Sequence, residues 1–96
     1  YPATINHVAE TEIAAKVAAE IAGETKVTKN TPPTMGGEDF AFMLEKVPGC
    51  YLFIGNGAGQ EEGSCMIHNP NYDFNDQILP VGASYFSRLV ETVLPV

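Results

Sequence analysis

Two short segments hold most of the side chains able to do chemistry. The first is Met66-Ile67-His68-Asn69-Pro70-Asn71-Tyr72-Asp73-Phe74-Asn75-Asp76. A neutral imidazole such as that of His68 is a common ligand for zinc and similar ions. Asp73 or Asp76 could orient its second nitrogen, as metal-bound histidines require. A loop histidine bonded to a backbone carbonyl fits the same spacing, and one histidine is not a metal site, because catalytic zinc takes about three protein ligands. The second segment is Met35-Gly36-Gly37-Glu38-Asp39-Phe40. Glu38 and Asp39 could face a metal-bound ligand or a substrate amide, or simply offset a helix dipole. Gly36-Gly37 permits unusual backbone angles or close approach of another group. Each segment reads as part of a site whose other members lie elsewhere.

The remaining candidates are weaker. His7 follows Asn6 at a junction between an extended stretch and a helix, where it reads as an exposed first-turn residue. Gly55-Asn56-Gly57-Ala58-Gly59 lacks the Lys-Ser/Thr of a phosphate loop and reads as a turn. Ser64 and Ser84 have no His/Asp arrangement around them. Cys50 and Cys65 are too few for a disulfide framework and match no zinc spacing. A Cys50–Cys65 bridge stays open, and a reducing cytoplasmic compartment is the expectation.

The elements that must position these groups alternate. Tyr1 to Ile5 reads as the tail of a strand, with Asn6 as a helix N-cap. His7 to Ala22 is helical: Val8, Ile13, Val17 and Ile21 recur at helical spacing, and Gly23 suits the left-handed end. Lys26 to Lys29 reads as a short edge strand. A short helix begins near Glu38, and Val47-Pro48-Gly49 ends it. Cys50 to Ile54 is a compact apolar run, expected as a strand buried on both faces. Gln77 to Leu94 is the last helix, with Pro80 in its first turn and Ile78, Phe86, Leu89, Val90 and Val93 as its stripe. Strand and helix in alternation predict an α/β layered sheet.

Composition narrows the function. Twelve acids against five bases give a net charge of −7, which repels nucleic-acid phosphates and anionic membranes. Arg88 is the sole arginine and no basic patch exists, so a nucleic-acid partner is not expected. No apolar run approaches the ~20 residues of a membrane span. The start at Tyr1 rather than Met suggests a longer parent chain.

Read together, the motifs resemble the carboxy-terminal part of the co-catalytic dizinc amidohydrolases, a family that includes hippurate hydrolase, the aminoacylases and plant auxin-conjugate hydrolases. The matching text is Met35-Gly36-Gly37-Glu38-Asp39-Phe40-Ala41-Phe42, Val47-Pro48-Gly49, Ile54-Gly55, Ile67-His68-Asn69-Pro70, Tyr72-Asp73-Phe74-Asn75-Asp76 and Gly82-Ala83, in that order. Tyr1-Pro2-Ala3-Thr4 with Asn6 resembles the return from that family's lid domain. The resemblance implies that residues 1–6 end an inserted lid and residues 7–96 complete a catalytic α/β domain. It implies two divalent metals, zinc or else manganese, cobalt or nickel, with His68 as the last ligand. It places Glu38, Asp39, Gly37 and Asn6 beside the metals or substrate rather than on the metals. The family's general-base glutamate falls upstream, so no catalytic residue is expected within these 96 positions. Asn6 is followed by His7 where the family carries aspartate, a departure from its pattern.

The implied reaction is hydrolysis of the amide of an N-acyl amino acid, inactive in this piece alone. The implied partners are that substrate and the rest of the catalytic domain, with a homodimer open. Two other readings stand beside it: a non-catalytic, self-associating α/β module, and part of a related peptidase acting on short peptides. The acidic composition is compatible with all three.

Overall fold

Helix α1 spans Val8–Ala22. Six alanines favour it intrinsically, and Gly23 ends it at φ 90°, its N–H donating to the Ala19 carbonyl. The expected N-cap is corrected here: Asn6 bonds Tyr51 instead, and His7, which occupies the cap position, makes no side-chain cap, its ring being bonded to Gly49. In this computed structural model residues 1–57 and 67–95 are described. Cys65, and with it the question of a bridge to Cys50, lies outside them, as does Ser64.

Helix α2 is one short turn-and-a-half, Phe40–Leu44, beginning two residues later than its acids suggest. Helix α3 spans Leu79–Val93, with Pro80 in its first turn, where a missing N–H costs nothing. A 3-10 turn, Asp76–Ile78, leads into α3, and the Asn75 side chain caps that turn by accepting from the Gln77 N–H. Helices α1 and α3 pack on each other: Tyr85 donates its hydroxyl to the Ala14 carbonyl at 3.3 Å, and Arg88 reaches Glu20 at 3.6 Å. Burial pushes the Tyr85 hydroxyl above its ordinary pKa. The core is small: Ala14 and Val17 from α1, Ala41 and Leu44 from α2.

The expected strands did not form. Among the described residues the regular elements are helical, so the layered α/β sheet is not visible in this chain by itself. Lys26–Lys29 is replaced by a 3-10 turn over Glu24–Lys26 and irregular backbone beyond it. Cys50 to Ile54 is irregular too, and Phe53 is 73% exposed rather than covered on both faces. The reason is physical: a strand exists only by pairing its backbone with a neighbour, and no described segment offers these stretches a ladder.

The expected α3 stripe is only partly covered: Ile78 and Leu89 are half-buried, and Phe86, Val90 and Val93 are exposed. Leu79 lies exposed along the same side of the helix as these three. The chain shows 7859 Å² to solvent, whereas a compact protein of this length shows about 5,400 Å². Its radius of gyration, 14.6 Å, likewise exceeds the ~12.5 Å of a compact chain. No helix among the described residues is long and apolar enough to cross a membrane.

Candidate functional site

The irregular segment 49–56 is the line to which the candidate residues attach. At its start, the Gly49 N–H donates to His7 Nδ1 at 3.0 Å, while the His7 N–H donates to the Gly49 carbonyl at 3.0 Å. The Nδ1 atom is thus an acceptor and the ring proton sits on Nε2. His7 is therefore half-buried and engaged, not the exposed first-turn residue its position suggests. Two residues on, Asn6 grips the Tyr51 backbone from both sides: its Nδ2 donates to the Tyr51 carbonyl at 2.8 Å, and the Tyr51 N–H donates to its Oδ1 at 2.7 Å. Asn6 and His7 together stand in for the neighbouring strand that residues 49–51 lack.

Glu38 is held by the same segment. The Tyr51 hydroxyl donates to Glu38 Oε2 at 2.9 Å, and the Phe40 N–H donates to Oε1 at 3.3 Å. The Tyr51 hydroxyl first, then the Phe40 amide, keep the Glu38 carboxyl below its usual pKa, because both bonds favour the charged form. Reciprocally, the Glu38 carboxylate pushes the Tyr51 hydroxyl up. The ring of Tyr51 sits between Phe40, at a centroid distance of 5.4 Å, and Phe53, at 5.6 Å. Asp39 is exposed at the start of α2 and makes no cap there. Gly37 packs on the Tyr1 ring, and a Cβ at this position would lie 3.5 Å from Tyr1 Cδ2, an ordinary contact. Gly36 has open space around it. Neither has a positive φ, so the expected need for glycine does not arise from the described residues.

At the far end of the segment, Asn56 reaches the loop that carries His68. Its Nδ2 donates to the Asp73 carbonyl at 3.2 Å, and its Oδ1 accepts from the Asn75 N–H at 2.9 Å. His68 itself lies exposed, just before a turn closed by the Tyr72 N–H to Asn69 carbonyl bond. Its φ is 67°, the left-handed region that histidine enters more readily than most residues. Among the described residues nothing bonds its imidazole, so neither Asp73 nor Asp76 orients it. An exposed imidazole of this kind has the chemistry of a single metal ligand. Among the described residues no three His, Cys, Asp or Glu side chains converge into a metal site.

The structure thus ties Glu38 and the His68 loop to opposite ends of one segment. Tyr51 and Asn56 are five residues apart, at most ~18 Å along the chain. It does not bring His68 into contact with Glu38, Asp39, Gly37 or Asn6. Sequence reasoning missed Tyr51 and Asn56. Tyr51 lay hidden in an apolar run, and Asn56 in a glycine-rich turn; an isolated amide between two glycines was the one available signal.

The described residues thus show an exposed histidine at 68, a carboxylate at 38 held by two hydrogen bonds, and a large uncovered surface. The chain belongs to Peptidase family M20/M25/M40, whose sequence pattern matches residues 1–92. It is similar to hippurate hydrolase of Campylobacter jejuni, with 36% identity over 88 residues, 92% of this chain and 22% of that protein. It is similar to IAA-amino acid hydrolase ILR1-like 6 of Arabidopsis thaliana, with 37% identity over 95 residues, 98% of this chain and 20% of the relative. It is also 35% identical over 81 residues to N-acetylcysteine deacetylase of Bacillus subtilis, covering 84% of this chain and 19% of the relative. The chain therefore spans about a fifth of the length of these relatives. No solved structure matches it.

Proposed function

We propose that this chain is the carboxy-terminal part of a metal-dependent amidohydrolase that cleaves the amide bond of N-acyl amino acids. The observation that carries the proposal is the family match across residues 1–92, with relatives named for acylated amino acids. In this reading residues 1–6 end a lid domain and residues 7–96 belong to the catalytic domain. Residues 1–5, 26–29 and 50–54 become strands of an α/β layer once neighbouring strands pair with them. The uncovered surface supports this, because it is the surface that the rest of such a domain would bury.

His68 is the proposed metal ligand. Two divalent ions, zinc or else manganese, cobalt or nickel, would supply Lewis acidity and lower the pKa of an attacking water. Imidazole suits this position because it binds without adding negative charge, so the metal keeps its polarising power. Glu38, kept ionised by Tyr51, faces the substrate side with Asp39. Asn6 fixes the segment that carries Tyr51. General-base chemistry falls to residues outside this chain, whose setting is a cytoplasmic enzyme.

The test is hydrolysis of hippurate and other N-acyl amino acids by the full-length enzyme, with metal content measured on wild type and His68→Ala. Loss of most activity and of one metal equivalent is expected. Unchanged metal content and full activity in His68→Ala would remove His68 from the site.

A second reading has its own observation. The exposed stripe Leu79, Phe86, Val90 and Val93 supports self-association of the chain as a non-catalytic module. Sedimentation of the isolated chain decides it: a defined dimer without metal supports the module, and a monomer removes it.

A further inference from the structure

We propose that Tyr51 is a positioning residue for Glu38, coupling Asn6 at the crossover into the catalytic domain to a carboxylate on the substrate side. The inference rests on the amidohydrolase reading for its consequence in catalysis, but its geometry stands alone. Three observations converge on this one tyrosine. Its backbone is clamped on both polar atoms by the Asn6 side chain, at 2.8 and 2.7 Å. Its ring is fixed between Phe40 and Phe53. Its hydroxyl, the one polar atom left on the side chain, donates to Glu38 Oε2 at 2.9 Å.

A side chain held at the backbone, the ring and the hydroxyl has little rotamer freedom left. It therefore transmits position rather than merely filling space. With the Phe40 N–H on Oε1, the tyrosine fixes both oxygens of Glu38 and hence the plane of the carboxylate. Asp39 also acts on Glu38 through its side chain and backbone; with about four acceptor positions, a carboxylate held this way can still take a donor on a ligand, such as a substrate N–H. Asn6 lies 45 residues from Tyr51 in sequence, so a shift of residues 1–6 is delivered to Glu38 through a rigid ring rather than through a flexible loop. The other charged group acting on the pair is Asp39, on the same turn as Glu38.

The experiment uses the full-length enzyme and three variants: Tyr51→Phe, Tyr51→Ala and Glu38→Gln. Tyr51→Phe keeps the ring and removes only the hydroxyl. Carbon-13 NMR of labelled glutamate, with Glu38→Gln assigning the signal, follows the Glu38 carboxyl through acid titration. The expected result is that Tyr51→Phe moves the Glu38 midpoint upward, lowers kcat/KM for hippurate about tenfold, the scale of one hydrogen bond to a charged group, and leaves metal content unchanged. Glu38→Gln moves the Tyr51 hydroxyl titration down, read by tyrosinate difference absorbance, so the pair is tested from both sides. A Tyr51→Phe enzyme with wild-type Glu38 titration and wild-type kcat/KM, beside a Tyr51→Ala enzyme that only melts earlier, would reduce Tyr51 to packing and overturn the proposal. If wild type hydrolyses no N-acyl amino acid, the amidohydrolase assignment falls, while the two titrations still decide whether Tyr51 holds Glu38.

Discussion

Asn6 and Tyr51 exchange two hydrogen bonds in the pattern of paired strands, with a side-chain amide taking the place of a peptide group: Asn6 Nδ2 to the Tyr51 carbonyl, and the Tyr51 N–H to Asn6 Oδ1. The same two segments are joined a step further along by His7 and Gly49. Asn6→Ala removes both bonds and is expected to destabilise the protein by about 1 kcal/mol, given that both partners reach solvent. Asn6→Asp keeps the acceptor for the Tyr51 N–H and should lose about half as much. Urea midpoints at constant slope check both values.

Stability should fall at both ends of the pH scale through Glu38 and Tyr51. Glu38 titrates below its ordinary 4.5 in the folded protein. Its contribution is therefore full above 4.5 and is lost as pH falls through the lower folded value. Tyr51 titrates above its ordinary 10.0, so its contribution is full below 10.0 and is lost as pH rises toward the folded value. Tyr51→Phe should flatten the two limbs together. Thermal melts across the pH range provide the check; a variant that flattens neither limb would show that the pair does not form in solution.

At His68 the backbone and the imidazole make opposite demands. A left-handed residue with a Cβ carries strain of about 1 kcal/mol relative to glycine. His68→Gly should therefore hold or raise the melting temperature while removing a metal equivalent, and His68→Val should lower both. Metal content and melting temperature measured on the same two variants separate the roles.

Val17 is fully buried in the small core. Val17→Ala should cost about 2 kcal/mol, the scale for deleting buried methyl groups without collapse of the site. Ala41 is equally buried on α2, and Ala41→Val should destabilise by overpacking. Denaturant unfolding of both variants gives the comparison.

The helices were legible because their information is local. Alanine content, the spacing of Val8, Ile13, Val17 and Ile21, Gly23 at one end and Pro80 at another each act within a turn or two. The extended segments were not, because a strand is a relation between two stretches, and the run Cys50 to Ile54 says nothing about who pairs with it. Asn6 shows the competition directly. Placed before a helix it reads as a cap, yet a backbone 45 residues away offers it two bonds where the helix offers one. Of the candidate site, the residue types at His68 and Glu38 stood out by chemistry, whereas Tyr51 and Asn56, which hold the surroundings of each, read as core and turn.

The exposed side of α3 carries a last consequence. Burying Phe86, Val90 and Val93 against anything that recognises only the folded helix adds free energy by mass action. The melting temperature of this chain is then not a fixed number. It rises with the concentration of whatever lies across that helix, whether a sheet in the same polypeptide or a second copy, and only the second makes it climb on simple concentration of the sample.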